Sequence, residues 1–221
     1  MPPAPTAAPL PAPRTVLNAL LDRITTIPLP LPPPSNSQPT NPLSLTPPSH
    51  RHLLTTLHVL FPTLLLPALD LLDRRLVARV TLDDALSYRP SGQQTPPTFH
   101  LISSSIAPHP RRRGQDGDAA PPVGRFYVVR LGTWHCTCAG FALALAVRRR
   151  GDGKRGDARK RAEGGQVGFG GTGVEGVDEG TPVCKHLLAC LLAERWRGVL
   201  GGYVRERRVG REEMGGLVAG I

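Results

Sequence analysis

Two short motifs constrain this chain more than anything else in it. Cys136-Thr137-Cys138 and Cys184-Lys185-His186 set three of the four cysteines and one histidine at one-residue spacings. Three thiols and an imidazole make a complete donor set for one tetrahedral ion, Zn2+ above all. The local patterns suit that use. The first motif ends a β-like run, and strand residues two apart point to the same side, so Cys136 and Cys138 can reach one ion. Helical residues two apart do not share a face. Cys184 is therefore expected just before a helix and His186 in its first turn, with Pro182 marking the helix start. Either motif alone is a weak signal; the two together, strand then helix, are specific. With all four positions filled by protein, the ion would be structural, leaving no place for water or substrate. It would clip a hairpin end to two helices across the 45-residue spacer Ala139 to Val183, offsetting the entropy of closing that loop. Cys190 reads as a core thiol. His135 points to the face opposite its cysteine neighbour and is not expected to ligate.

The rest of the chain reads as a compact module diluted by disordered sequence. Of 221 residues 40% are hydrophobic but only 5% aromatic, and Gly and Pro contribute 24 and 25. Fifteen of the prolines fall in the first 48 residues, which marks residues 1–49 as a proline-rich disordered tail. Within it, Arg14 to Ile27 keeps apolar residues at Val16, Leu17, Leu20, Leu21 and Ile24, a helical spacing that suggests either an isolated docking helix or a transient one. Met1 to Arg14 lacks the basic start and apolar core of an export signal. Without export, cysteines point to metal more than to disulfides. Leu53 to Leu69 is uncharged over 17 residues, short of the roughly 20 a membrane span needs, and Pro62 and Pro67 interrupt it. Buried helices are expected there, with no membrane association.

Residues 50–150 then hold a helical segment ending in Ala68 to Arg75, strand candidates Val77–Leu82, Thr98–Ala107 and Arg125–Trp134, and a helix over Phe141–Val147. The last two strands suggest a hairpin with an expanded loop through Ala107–Pro122. Residues 151–180 carry 11 glycines in 30 positions and read as a disordered insert. Residues 181–200 supply the closing helix, Thr181–Trp196. Residues 201–221 read as a tail. The fold class is α+β: a small hairpin or sheet with helices clipped by one structural zinc, flanked by a disordered tail and carrying an insert.

Charge leaves two readings open. The 27 basic and 17 acidic residues give a formal +10, suited to a nucleic-acid or acidic partner and equally to arginines scattered over loops. Arg148, Arg149, Arg150, Lys154, Arg155, Arg159, Lys160 and Arg161 place eight basic residues within 14 positions. Such an arm could track phosphates, single-stranded DNA included, although acidic residues are interspersed and only Phe169 could stack on bases. Catalysis has no support in the sequence. Gly165–Gly173 lacks the Lys-Ser/Thr of a phosphate loop, and no nucleophile, base or paired carboxylates meet the geometric requirements of a catalytic site. No catalytic residue, small-molecule substrate or organic cofactor is expected.

Cys-x-Cys followed by Cys-x-His resembles the SWIM zinc finger. Cys184-Lys185-His186-Leu187-Leu188-Ala189 fits its extended form, in which Ala189 is the small residue beneath the ligands. With Ala68–Arg74 upstream and His135–Arg149 before the spacer, the chain resembles SWIM-domain subunits of the Shu complex, over about Leu64 to Trp196. The spacer is longer than that pattern expects, and the excess falls in Gly151–Gly180. The resemblance implies Cys136, Cys138, Cys184 and His186 as zinc ligands. It also implies a nuclear, non-enzymatic adaptor that binds RecA-like recombinase paralogues and supports recombinase filaments in homologous recombination.

Overall fold

The computed structural model describes residues 13–29, 42–83, 98–104, 126–151 and 182–219. The proline-rich stretches of the tail, the expanded hairpin loop and the glycine-rich insert lie outside them. Helix α1 (Pro13–Thr25) is followed by α2 (Arg51–Leu60) and α3 (Leu65–Asp73), then strands β1 (Val77–Leu82), β2 (Thr98–Ser103), β3 (Phe126–Arg130) and β4 (His135–Cys136). Next come α4 (Ala139–Gly151), α5 (Lys185–Arg195), the single turn α6 (Arg197–Leu200), β5 (Arg205–Val209) and α7 (Arg211–Ala219).

The fold is α+β, with one mixed five-stranded sheet in the order β4-β3-β2-β1-β5. Strands β1 to β4 pair antiparallel with their sequence neighbours, and β5 returns parallel to β1. The β2–β3 hairpin is the expected one, with Leu101 opposite Val128. Alternation sets the faces. Val77, Ile102 and Val129 turn toward the helices and join the main core, while Val80, Phe99, Leu101 and Val128 form a second cluster on the other face, against Met214 and Leu217 of α7.

Helix α5 is the centre of the main core: every residue from His186 to Ala193 is buried. A helix apolar all round has to be enclosed. The sheet, α3 and α1 enclose it from within the chain, so this helix is not a free docking face. Helix α1 is where structure and sequence reading part. Leu21, Ile24 and Ile27 are buried in the same core, and Asp22 pairs with Arg195 at the end of α5. Its apolar stripe completes the domain instead of forming an isolated element in a tail. A short free helix is marginal, and α5 offers a second apolar side for it to cover.

The 201–221 region also differs from the tail expected. Arg205–Val209 is an edge strand whose burial comes from Val209 and the preceding Val204. Pro62 lies in the α2–α3 break, whereas Pro67 is the third residue of α3, where its missing N–H costs no helical bond. The helical stretches Pro48–Leu60 and Leu65–Asp73 are bent by 111° at that break, and no single described helix is long and apolar enough to cross a membrane. Helix α3 ends in a Schellman motif: Leu76 N–H donates to the Leu71 carbonyl and Arg75 N–H to that of Leu72, with Arg75 at a φ of 52° in the left-handed position usually given to glycine.

Candidate metal centre

The sheet and two helix starts bring the motifs together. Strand β4 is only two residues long, and it places Cys136 opposite Val129 of β3. Cys138 lies just beyond the strand at the entrance to α4, so its position is set by a helix start as much as by strand alternation. Its sulfur accepts the Phe141 N–H at 3.4 Å, and the Cys136 sulfur accepts the Cys138 N–H at 3.5 Å. Across the spacer, Cys184 is the extended N-cap of α5, with φ −124° and ψ 166°. His186 follows in the first turn. Both arrangements are those the spacing required.

Cys136, Cys138, Cys184 and His186 are all buried, and their ligand atoms lie within 4.8 Å of one another. Four such groups, this close, can hold one metal ion. His186 Nδ1 stands 3.8 Å from the Cys136 sulfur. Two helix N-termini converge here, and their unpaired amides favour negative sulfur.

The thiols interact strongly. Hydrogen bonding with Cys138, then Cys184, together with burial, drives the Cys136 thiol far above its ordinary value. Cys138 is held far below it, through the same bonds with Cys136 and Cys184. Cys184 is pulled down by Cys136 but up by Cys138 and burial, reaching about 11. A cation bound among these sulfurs would displace thiol protons. Cys190 is not part of the group: it is fully buried within α5, and burial pushes its thiol up. His135 is exposed and meets the Phe141 ring edge-on at 5.7 Å.

Three neighbours of the site carry no signal in the sequence. Tyr127 stacks on the His186 ring, centroids 4.6 Å apart and planes inclined by 30°. Trp134, at a φ of 49°, donates its indole N–H to the Pro182 carbonyl at 3.0 Å, linking the two halves of the site across the spacer. Thr137 accepts the Val128 N–H at 3.0 Å through Oγ1 and returns its own N–H to the Val128 carbonyl. Thr137 lies between Cys136 and Cys138 and Trp134 two residues before Cys136, so closeness to the motif could have drawn notice to them. Tyr127, nine residues before Cys136, is brought to the site only by the pairing of β3 with β4.

A charged cluster shares the same sheet face. Residues in register across it run Glu206, Arg79, His100, Val129 and Cys136. Arg79, buried, donates through Nε to Glu194 of α5 at 2.6 Å and through Nη1 to Glu206 at 2.6 Å, and His100 Nε2 lies 2.9 Å from the same Glu194 oxygen. Helix α5 therefore meets the sheet at both ends, through the cluster of Cys184 and His186 with Cys136 and through Glu194. Arg148, Arg149 and Arg150 belong to the last turns of α4; the rest of the basic run lies outside the described residues.

No protein-family model matches the chain, and the search of curated proteins returned no match.

Proposed function

We propose that the centre binds one structural Zn2+ and that the zinc-braced domain is a non-enzymatic adaptor. The observation that carries the metal reading is the closed set of three buried thiols and one imidazole. At ordinary Zn–S and Zn–N lengths, tetrahedral ligands stand about 3.8 Å apart between sulfurs and about 3.6 Å between sulfur and nitrogen. The 3.8 Å from Cys136 to His186 fits, and a small contraction brings the widest pair into range. Bound there, the ion supplies folding free energy, joining the strand side of the domain to α5. Four protein ligands leave no open position, which argues for bracing over hydrolysis.

The adaptor reading joins the SWIM-type motif to the exposed surface. Val59 and Leu66, at the α2–α3 corner, are 70% and 62% exposed, and Leu143 and Val147 of α4 are 66% and 64% exposed. Large apolar side chains kept in water by a rigid domain suit a protein partner. By its motifs the partner is a RecA-like recombinase paralogue of a Shu-type complex, in the nucleus, and the task is support of recombinase filaments. An apolar cavity of about 60 Å3 between α1, α2, α3 and α5, lined by Ile24, Leu57, Leu65 and Leu192 among others, offers no polar group to a substrate.

The test is affinity capture from nuclease-treated nuclear extract, comparing the wild-type chain with Cys184→Ser and identifying bound proteins by mass spectrometry. Recovery of RecA-like paralogues by the wild type alone supports the adaptor. A zinc-loaded, folded wild type that captures none of them refutes it.

A further inference from the structure

We infer that Tyr127 is the positioning residue of the metal centre: its ring sets the plane of the His186 imidazole so that Nδ1 points at the thiols. This rests on the reading of the four-residue cluster as a metal site.

The lone pair of a ligating imidazole nitrogen lies in the ring plane, so the plane decides whether the nitrogen reaches the ion. His186 stands in the first turn of α5, two residues after Cys184, and its Nδ1 faces the Cys136 sulfur at 3.8 Å. A metal-bound histidine is commonly oriented by a hydrogen bond to its second nitrogen. Here a ring face does the work. Tyr127 lies on β3, two residues before Val129, so both side chains turn toward α5. Val129 is in turn paired with Cys136. One strand thus places the ring that holds one ligand and the backbone partner of another. The stacking geometry, 4.6 Å between centroids at 30°, is that of an offset aromatic pair. The phenol hydroxyl is not required by this role; the flat ring is.

The experiment uses the full chain loaded with Co2+, whose visible bands report the ligand set, and with Zn2+ under competition from a chromophoric chelator. Wild type, Tyr127→Phe and Tyr127→Leu are compared, with near-ultraviolet circular dichroism as the check on folding. Tyr127→Phe is expected to match wild type. Tyr127→Leu keeps apolar bulk but no ring face; it should lose about 10- to 100-fold in metal affinity and shift its Co2+ bands toward a set in which solvent oxygen replaces imidazole nitrogen. Equal affinity and spectrum in Tyr127→Leu would overturn the inference, as would Tyr127→Phe behaving like Tyr127→Leu. A wild type that binds neither metal would instead overturn the metal reading beneath it.

Discussion

Glu194→Gln removes one charge and almost no volume, and the structure sets what that should cost. One Glu194 oxygen receives the Nε and Nη2 groups of Arg79 and approaches His100 Nε2, while the other lies 3.5 Å from Arg197. The Arg79 side chain is only 5% exposed and that of His100 only 3%. Breaking a buried ion pair by removing one partner costs 3–5 kcal/mol, because the remaining charge stays buried without compensation. Glu194 itself keeps 21% of its side chain in water, and Glu206 remains as a second acceptor for Arg79. The lower end applies, about 3 kcal/mol, which for a chain of this size lowers the melting temperature by roughly 6–12 °C. Thermal unfolding of the metal-loaded protein reads this directly. The double variant Arg79→Met/Glu194→Leu separates burial from charge: replacing both partners by apolar groups should recover most of the loss. A Glu194→Gln variant within 1 °C of wild type would show that Arg79 and His100 do not depend on this carboxylate, and a double variant no more stable than either single one would exclude the uncompensated charge as the cause.

Three further outcomes are expected. Leu21→Ala should destabilise the domain by about 2–5 kcal/mol, the range for truncating a buried leucine; an unchanged denaturant midpoint would mean that α1 is dispensable to the core. Trp134→Phe loses the bond to the Pro182 carbonyl, worth about 1 kcal/mol, and should speed metal release to a chelator. Release and stability both equal to wild type would remove Trp134 from the site. The Glu194 carboxyl is raised by burial but lowered further by the His100 and Arg79 bonds, leaving it net below 4.5. A depressed carboxyl gives stability that is complete above its unfolded value and fades as pH falls through the folded one. The stability gap between wild type and Glu194→Gln should therefore be flat above about pH 4.5 and narrow below it. A gap constant down to pH 3, in whatever fraction of the protein stays folded, would contradict this.

What the sequence made legible follows from where each signal lies. Val77–Leu82, the core of Thr98–Ala107 and that of Arg125–Trp134 are strands because β-branched and aromatic runs encode them locally, and the motif spacing placed Cys184 before α5 and His186 in its first turn. Residues 205–209, Arg-Glu-Arg-Arg-Val, were not legible as a strand. An edge strand can be charged on both faces, and this one takes its place by pairing with β1, which no local pattern announces. Arg79 reads as one polar position in VARVTL, yet it is buried, because its acceptors come from 115 and 127 residues away. The helix in α1 was visible; its place in the core was not, since periodicity shows that a face needs cover without saying what covers it. The same gap holds for α5, whose all-round apolarity demands enclosure without saying by what.

The central claim is that three thiols and one imidazole close the domain around one ion. Its most direct test is the metal content of the chain after exhaustive dialysis, with wild type, Cys184→Ala and Cys190→Ala measured side by side by elemental analysis. One zinc per folded chain is expected in the wild type and in Cys190→Ala, and none in Cys184→Ala, which should also lose its near-ultraviolet signal. A folded wild type without zinc, or a Cys184→Ala variant that keeps it, would rule out a structural zinc at this centre.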